Sequence, residues 1–346
     1  MRNNNKVSLV TGGAGFIGSH VADRLIAMGH NVIVLDDLSG GYPDNIPKQA
    51  IFKKGSVTNV DFVHSIFDEN KIDYVFHLAA YAAEGLSHFI RRYNYQTNLI
   101  GSCNLINAAV NSATVRCFVF TSSIAVYGAG QTPMREDTPP RPEDPYGISK
   151  YAVELDLEAA HRMFGLNYII FRPHNVYGER QNIADPYRNV IGIFMRQLLA
   201  GEQMSIFGDG TQTRAFTHID DVAPVIASSI ERTQAYNQVF NIGADVPYTV
   251  NDLADCVART MGLKKNVLYL PERHEVLHAF SDHAKLSRVF GDLIHGIAME
   301  EGLSRMSKWV RSSPRQPIKL FSSIEVRKNM PPKWASLIAT RDHADE

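Results

Sequence analysis

The residues best suited to chemistry in this sequence are a tyrosine and a lysine four positions apart, Tyr146 and Lys150. Four residues are about one turn of an α-helix, so the two side chains share a face. A phenol with a pKa of about 10 is not a base near pH 7, but a lysine ammonium beside it favours the phenolate and lowers that pKa. The pair is a candidate for proton transfer, and an exposed surface turn is the alternative.

A glycine-rich segment near the start of the chain predicts a dinucleotide site. An apolar run at residues 7–10 precedes the sequence TGGAGFIG at residues 11–18, and a helical pattern follows. Glycines at such a turn let backbone N–H groups approach a pyrophosphate, and the helix N-terminus adds partial positive charge. A second predicted strand, 31–35, ends at Asp36, where a carboxylate can accept from a ribose 2′-hydroxyl and would repel a 2′-phosphate. The pattern therefore favours NAD over NADP, and a glycine turn beside a solvated aspartate is the alternative.

Apolar strands and helical patterns alternate through the first half of the chain. Further strands are predicted at residues 51–53, 74–78, 117–122 and 167–172, and helices at 60–69, 93–110 and 146–164. Apolar strands separated by helices indicate an α/β fold of the Rossmann type, with a doubly wound parallel sheet covered on both faces. Ligands in such folds bind beyond the carboxyl ends of the strands. We therefore expect residues 77–80, 121–123 and 172–175 to line a site.

The pattern changes after residue 175 and predicts a smaller C-terminal lobe. Helices are predicted at residues 190–200, 222–232, 251–261 and 300–310, and short strands at 204–207, 217–219 and 239–242. We expect the strands at 217–219 and 239–242 to return to the main sheet. The predicted domains are thus a Rossmann domain of residues 1–175 with 217–245, and a substrate-binding lobe of residues 176–216 and 246–346. The tail after Arg311 is expected either to cover the surface or to be loose.

Composition excludes several classes of partner. The chain has 346 residues, 45% of them hydrophobic and 21% charged, with a net charge of −1, which is typical of a globular protein. Without a basic block or a basic amphipathic helix, no nucleic acid or membrane partner is expected. The absence of a signal-peptide pattern and of 18 consecutive apolar residues predicts a cytoplasmic protein. Three cysteines without a CxxC pair, and histidines without ligand spacing, predict no metal site.

Six motifs occur in order over about the first 220 residues: TGGAGFIG, HLAA, TSSIAVYG, DPYGISK, RPHNVYG and FGDGTQTRAF. With them the chain resembles the extended short-chain dehydrogenase/reductases, and within these the nucleotide-sugar 4-epimerases related to UDP-glucose/UDP-galactose 4-epimerase. The resemblance implies a tightly bound, recycled NAD and a UDP-sugar substrate. It also implies inversion at sugar C4 through a transient 4-keto sugar.

The resemblance also implies roles for individual residues. Tyr146 would take the proton of the sugar 4-hydroxyl, Lys150 would bind the nicotinamide ribose and lower the tyrosine pKa, and Ser123 would hydrogen-bond O4 and relay its proton. The implied cofactor-binding residues are Gly12, Gly15, Phe16, Ile17, Gly18, Asp36, Asp37, Ser56, Val57, Leu78, Ala79, Ala80, Asn98, Thr121, Tyr146, Lys150 and Pro173. The implied substrate-binding residues are Ser123, Asn175, Val190, Ile191, Ser205, Phe207, Arg214, Arg273 and Glu275.

Within the second set, the resemblance assigns Asn175, Arg214 and Arg273 to the diphosphate. Glu275 would receive the uridine ribose, and Phe207 with the backbone around Ser205 would flank the uracil. For each arginine the alternative is a solvated surface charge of little energetic value.

Departures from the family pattern narrow the choice of reaction. The 4,6-dehydratases carry an Asp-Glu pair where this chain has Ser123-Ile124, and the decarboxylases carry a glutamate at the position of Ile124. The glucuronate 4-epimerases carry a second arginine where Asn182 lies, although Arg180 or Arg188 could still pair with a carboxylate. A UDP-hexose is therefore favoured over UDP-glucuronate, and a decarboxylase or dehydratase is less favoured still.

Two further positions affect ligand fit. Ala279 lies near a position where side-chain size separates hexoses from N-acetyl hexosamines, so N-acetylated sugars are plausible substrates. Ser56 stands where the family usually has an aspartate for the adenine amino group, and a hydroxyl accepts less strongly.

The resemblance further implies a homodimer in which the helices at 93–110 and 149–164 form a four-helix bundle. Their apolar faces could instead serve the core of the single chain. A catalytically silent NAD-binding protein is the contrasting functional class, and the intact set of Ser123, Tyr146 and Lys150 argues against it.

Overall fold

The computed structural model describes residues 6–130, 132–273, 276–314, 317–318, 320–321 and 323–342. Its strands are β1 (Val7–Thr11), β2 (Asn31–Asp36), β3 (Ile51–Lys54), β4 (Tyr74–His77), β5 (Cys117–Thr121), β6 (Tyr168–Pro173), β7 (Val176–Tyr177), β8 (Met204–Phe207), β9 (Thr213–Ala215), β10 (Thr217–His218), β11 (Gln238–Ile242), β12 (Pro247–Thr249), β13 (Val267–Leu270) and β14 (His278–Ala279). Its helices are α1 (Phe16–Ala27), α2 (Val60–Glu69), α3 (Glu84–Ser87), α4 (Arg91–Tyr95), α5 (Gly101–Ser112), α6 (Pro145–Phe164), α7 (Val190–Leu199), α8 (Ala223–Ser228), α9 (Val250–Thr260), α10 (Ala284–Phe290), α11 (Met299–Ser312) and α12 (Pro332–Asp342).

Seven parallel strands form the main sheet, in the order β11-β6-β5-β4-β1-β2-β3. The chain order reverses between β1 and β4, which is the switch point at which doubly wound sheets bind ligands. One apolar cluster packs between the sheet and α1, α8 and α10, and a second packs between the sheet and α2, α5 and α6. The predicted Rossmann-type fold is confirmed.

The smaller lobe has its own apolar cluster, built from α7, α9, α11 and β8. Its strands form short sheets, with β13 beside β8 and with β9 between β12 and β14. Helix α9 begins with a capping box, in which the Thr249 hydroxyl and the Asp252 carboxylate satisfy each other's backbone N–H groups.

One of the two strands expected to return to the main sheet does so, and the other does not. Strand β11 pairs with β6 and supplies the seventh strand of the sheet. Strand β10 pairs instead with β7 in a separate two-stranded sheet, so the prediction for 217–219 is wrong. A strand of two residues carries almost no periodicity, and tertiary packing decides its partner. The domain division itself stays a prediction.

The predicted helix at 93–110 is continuous but irregular. Helices α4 and α5 are joined by one π-helical segment, Gln96–Ile100, a local widening that often lies near functional sites. Across the described residues, no helix combines the length and apolar character needed to span a bilayer.

Helix α6 starts sharply beside the carboxyl end of β5. The Asp144 carboxylate accepts from the Gly147 N–H at 3.0 Å, and Pro145 occupies the first helical position, both of which favour a helix start. A side chain on Gly147 would put its Cβ 2.5 Å from the Ala125 carbonyl oxygen. The first turn of α6 can therefore lie against the segment after β5 only because residue 147 is glycine.

A buried ion pair fixes the next turns of α6 to the sheet. The Arg172 Nε donates to Glu154 at 3.0 Å, and its Nη1 donates to the Tyr127 hydroxyl at 2.7 Å. The Ser122 hydroxyl also donates to Glu154. The Arg172 and Glu154 side chains are 5% and 2% exposed, so each charge depends on the other.

We expect Glu154→Ala to lower the free energy of unfolding by about 3–5 kcal/mol, because it leaves the Arg172 guanidinium buried without its partner. Glu158→Ala is the matched control on the same helix, since the Glu158 ion pair with Arg162 is largely exposed and such pairs contribute about 0–1 kcal/mol. Urea unfolding of both variants measures the difference. Equal losses for the two variants would refute the buried-pair account.

Candidate active site

The residues singled out by the sequence meet in one cavity of about 490 Å³. Its walls come from the glycine loop, from the segments that follow β2, β4, β5 and β6, and from α7, β8, β9 and β14 of the smaller lobe. The cavity therefore spans the carboxyl ends of the parallel strands, where doubly wound folds bind their ligands.

The glycine loop packs too tightly for any larger residue. A Cβ on Gly12 would lie 2.7 Å from the Ala79 nitrogen, and one on Gly18 would lie 2.2 Å from the Gly12 carbonyl oxygen. Helix α1 has no side-chain cap and no acidic residue in its first turn. Its first N–H groups and partial positive charge are therefore suited to an anionic group such as a pyrophosphate.

The Asp36 carboxylate lies beside this loop and holds it. One oxygen accepts from the Ala14 N–H at 3.0 Å and the other from the Leu38 N–H at 2.8 Å. Burial raises the pKa of Asp36, while these backbone hydrogen bonds oppose the shift. The same carboxylate lines the cavity, so it both shapes the loop and offers an acceptor to a ligand.

Tyr146, Lys150 and Ser123 all reach the cavity wall. Tyr146 and Lys150 project from the first turns of α6, and Ser123 precedes the short 3₁₀ helix Ile124–Val126. The Ser123 hydroxyl accepts from the Ala125 N–H at 3.1 Å. The close contact between Gly147 and Ala125 therefore brings the three side chains together from two separate elements.

Burial is the largest influence on the pKa values of both Tyr146 and Lys150, and the predicted effect of Lys150 on Tyr146 stays a prediction. Burial raises the Tyr146 pKa, a hydrogen bond with Ser123 lowers it, and the charges of Asp144 and Glu84 raise it. The Lys150 Nζ donates to the Thr121 carbonyl oxygen at 2.8 Å and lies 5.8 Å from the Tyr146 ring centroid. Burial also lowers the Lys150 pKa to about 7, and the nearby Glu154 carboxylate opposes this shift.

Most of the predicted cofactor-binding residues line the cavity, and one of them, Thr121, has a hydroxyl group without a hydrogen-bond partner. The lining includes Gly12, Gly15, Phe16, Ile17, Gly18, Asp36, Asp37, Ser56, Val57, Leu78, Ala79, Ala80, Thr121, Tyr146, Lys150 and Pro173. The Thr121 hydroxyl is buried without a hydrogen-bond partner, which leaves it available to a ligand. Together with the glycine loop and α1, it makes the site fit a dinucleotide.

Asn98 is buried next to Tyr81, and its predicted cofactor role stays a prediction. It is 1% exposed and does not line the cavity. Its amide oxygen accepts from the Tyr81 N–H at 2.9 Å, and its amide nitrogen donates to the Tyr81 carbonyl at 3.2 Å. Asn98 therefore fixes the backbone of a residue that lines the cavity.

The predicted substrate-binding residues Ser123, Asn175, Val190, Ile191, Ser205, Phe207, Arg214 and Arg273 also line the cavity. Glu275 lies outside the described residues. The Arg214 Nη1 donates to the Thr213 and Leu277 carbonyls at 2.8 Å each, so its position is fixed. The Arg273 guanidinium lies 4.6 Å from the centroid of the Phe207 ring, which joins a cationic group to an aromatic face.

Sequence reasoning missed Tyr187 in the wall and named Arg188 only as a possible partner of a carboxylate. Tyr81, Tyr187 and Arg188 line the cavity, and the Arg188 guanidinium lies 4.9 Å from the Tyr81 ring and donates to Asp185 at 2.8 Å. Glu84, the first residue of α3, also lines the cavity. Among the described residues, no group of three or more His, Cys, Asp or Glu side chains is arranged to hold a metal.

The sequence profile of the NAD dependent epimerase/dehydratase family matches residues 8–243. The chain belongs to the NAD dependent epimerase/dehydratase family. It is an epimerase enzyme, and NAD is its cofactor. The glycine loop, Asp36 and Thr121 are the groups of this epimerase that would hold NAD.

Similar proteins include several 4-epimerases. The UDP-glucose 4-epimerase of Mycolicibacterium smegmatis is 33% identical over 314 residues, covering 88% of this chain and 98% of that one. A structure of the Thermotoga maritima UDP-glucose 4-epimerase with UDP-glucose has a TM-score of 0.83 and 38% identity, covering 88% of this chain and 98% of that one. A structure of a UDP-N-acetylglucosamine 4-epimerase from Methanobrevibacter ruminantium has a TM-score of 0.83 and 33% identity, covering 89% of this chain and 99% of that one.

A UDP-glucuronic acid 4-epimerase of Bacillus cereus is also similar, with a TM-score of 0.80 and 26% identity, covering 88% of this chain and 99% of that one. Fold and family therefore leave the sugar of this epimerase open.

We expect Lys150→Met to change the pH dependence of stability. The lysine pKa of about 7 lies below the ordinary value of 10.5, so between these pH values the unfolded chain binds more protons and stability rises with pH. Near pH 7 the variant should unfold at a higher temperature than wild type, and its advantage should shrink towards pH 10. Thermal unfolding of protein stripped of its bound nucleotide measures this, with the exposed Lys308→Met as control. A difference in unfolding temperature between Lys150→Met and wild type that stays constant with pH would contradict the burial effect.

Proposed function

We propose that this epimerase inverts C4 of a UDP-hexose, UDP-glucose/UDP-galactose or an N-acetylated analogue, through a transient 4-keto sugar. The observation that supports this most directly is the convergence of Ser123, Tyr146 and Lys150 on a cavity that also contains the glycine loop. In this cavity a sugar hydroxyl can contact the proton acceptor Tyr146. The carbon that carries this hydroxyl then faces the part of the cavity beside the glycine loop, where the dinucleotide would bind.

Each catalytic side chain has one task in this proposal. Bound NAD would supply redox chemistry, taking the C4 hydrogen as a hydride and later giving it back. Tyr146 takes the proton of the 4-hydroxyl, and Ser123, which is hydrogen-bonded to Tyr146, relays that proton. Lys150, buried and anchored to the Thr121 carbonyl, holds the ribose end of the cofactor. Inversion requires the keto sugar to present its other face before it is reduced.

Tyr146→Phe should keep NAD bound and lose C4 inversion by several orders of magnitude, because the ring still fills its buried site but has no group to take the proton. Absorbance of the released nucleotide reports cofactor content, and coupled turnover of UDP-glucose reports activity. Tyr151→Phe on the same helix is the control. Turnover of Tyr146→Phe near the wild-type rate would exclude the mechanism.

The sugar end of the cavity supports hexoses over uronates. The Glu84 carboxylate lines it and acts electrostatically on Tyr146, so a sugar carboxylate would meet a like charge. Arg188 in the same wall favours a uronate, because its guanidinium could pair with the sugar carboxylate. The Asp185 carboxylate, however, already pairs with this guanidinium at 2.8 Å. Arg180 pairs with Asp23 at 2.6 Å and does not line the cavity. A UDP-glucuronate 4-epimerase is therefore the second candidate.

The small side chain of Ala279 supports N-acetylated UDP-sugars as further substrates. It lies in β14, lines the cavity and is 8% exposed, so it leaves volume where a larger residue would fill the site. We expect UDP-glucose and UDP-N-acetylglucosamine to be inverted and UDP-glucuronate to be left unchanged, as read from the C4 configuration by NMR. Ala279→Tyr should cut turnover of the N-acetylated sugar far more than that of UDP-glucose. Inversion of UDP-glucuronate alone would establish the second candidate instead.

We also propose that the enzyme is a cytoplasmic homodimer. Helix α6 exposes Ile148 and Leu155, 40% and 46% exposed and seven residues apart on one face, and Ile100, the last residue of the π-helical segment before α5, is 50% exposed. Sedimentation should give about twice the chain mass of 38.6 kDa. Leu155→Glu should shift the mass to that of the monomer, whereas the exposed Val246→Glu should not. A monomeric wild type would contradict this proposal.

A further inference from the structure

The C-terminal tail reaches the cavity walls, although it lies outside the residues that the family profile matches. Helix α12 packs Trp334 into an aromatic cluster with Phe89 and Tyr187, and this tryptophan is 3% exposed. The sequence left open whether the tail covers the surface or is loose, and its described part covers the surface beside the site.

Trp334 supports side chains that line the nucleotide end of the cavity. Its ring lies 6.1 Å from the Phe207 ring and 5.5 Å from the Tyr187 ring, both edge to face. The Arg273 guanidinium lies over both Phe207 and Trp334, at 4.6 and 5.6 Å from their centroids. Trp334 does not line the cavity, so it acts on the site through these three residues.

Lys333, the neighbour of Trp334 in α12, contacts β8 at Ser205, two residues before Phe207. Its Nζ donates to the Ser205 hydroxyl, which also accepts from the Gln197 side chain at 2.9 Å. Ser205 and Phe207 are alternate residues of β8 and project from one face of it. Two consecutive residues of α12 therefore hold the two cavity-facing side chains of β8.

The tail also contacts the opposite wall. The Glu325 carboxylate accepts from the backbone N–H groups of Arg92 and Tyr93 at 2.7 and 2.9 Å, at the first turn of α4. The tail is thus attached at both sides of the cleft, and the position of α12 against β8 is fixed with respect to the Rossmann sheet.

We propose that Trp334 and Lys333 are positioning residues that hold Phe207, Ser205 and Arg273 ready to receive the uridine and diphosphate of the substrate. The inference rests on the proposed function, because it takes a UDP-sugar as the ligand. An aromatic face suits a base and a guanidinium suits a diphosphate. Side chains already held in place lose less freedom when a ligand binds. Loss of the support therefore weakens nucleotide binding and leaves the chemistry at C4 unchanged.

The test compares UDP binding and turnover in the full-length, NAD-containing enzyme. Trp334→Ala should weaken UDP binding, measured by calorimetry, about tenfold and raise KM for UDP-glucose by a similar factor, with kcat within about threefold and NAD content unchanged. Trp334→Phe should recover most of the affinity. Lys333→Met should weaken UDP binding about threefold, and Lys328→Met, an exposed lysine of the same tail, should not.

UDP affinity within about twofold of wild type in both Trp334→Ala and Lys333→Met would overturn the inference. If Trp334→Ala does not fold, Lys333→Met decides alone, since it keeps the aromatic packing. A wild type that binds UDP but leaves C4 of UDP-glucose unchanged refutes the proposed function, and the UDP affinities of the variants still decide the inference. A wild type that does not bind UDP overturns the inference as well.

Discussion

The first turn of α6 lies against the segment after β5 because residue 147 has no side chain, and the rest of the site depends on this contact. A Cβ at that position would overlap the Ala125 carbonyl oxygen at 2.5 Å. The contact brings Tyr146 beside Ser123 and lets Lys150 donate to the Thr121 carbonyl. The buried pair of Glu154 and Arg172 then fixes the following turn to the sheet. The same helix therefore carries the catalytic side chains and the buried ion pair that attaches it to the sheet.

Burial sets the protonation states that this arrangement works with. It raises the Tyr146 pKa and lowers the Lys150 pKa to about 7, so the neutral form of each group is favoured relative to water. The same exclusion of water strengthens any electrostatic contact that a bound ligand makes with them. The chain alone thus supplies a shaped, poorly solvated site.

The sequence was most informative where chemistry depends on short, local patterns. The glycine loop, Asp36 and the pair of Tyr146 and Lys150 have spacings that follow from one turn or one strand, and apolar runs located all seven strands of the main sheet. Pairing of β10 was missed because a strand of two residues carries no period. The hydrogen bonds of Asn98 to the Tyr81 backbone have no local signature, because the two residues are 17 positions apart along the chain. Only the fold brings these groups together.

The contribution of the tail could not be predicted for a related reason. Nothing in the spacing of Lys333 and Trp334 distinguishes them from the residues of any amphipathic surface helix. Their importance comes from contacts more than 120 residues away along the chain, at Ser205 and Phe207. Long-range positioning of this kind changes ligand affinity without altering a recognisable motif.

Incubation of the enzyme with UDP-glucose in D₂O, followed by proton NMR of the product, tests the proposed C4 chemistry most directly. The account predicts UDP-galactose with protium at C4, because the carbon-bound hydrogen leaves as a hydride and returns without exchange, while only the oxygen-bound proton passes through Tyr146. Deuterium at C4 would contradict it, since that result requires removal of the carbon-bound hydrogen as a proton.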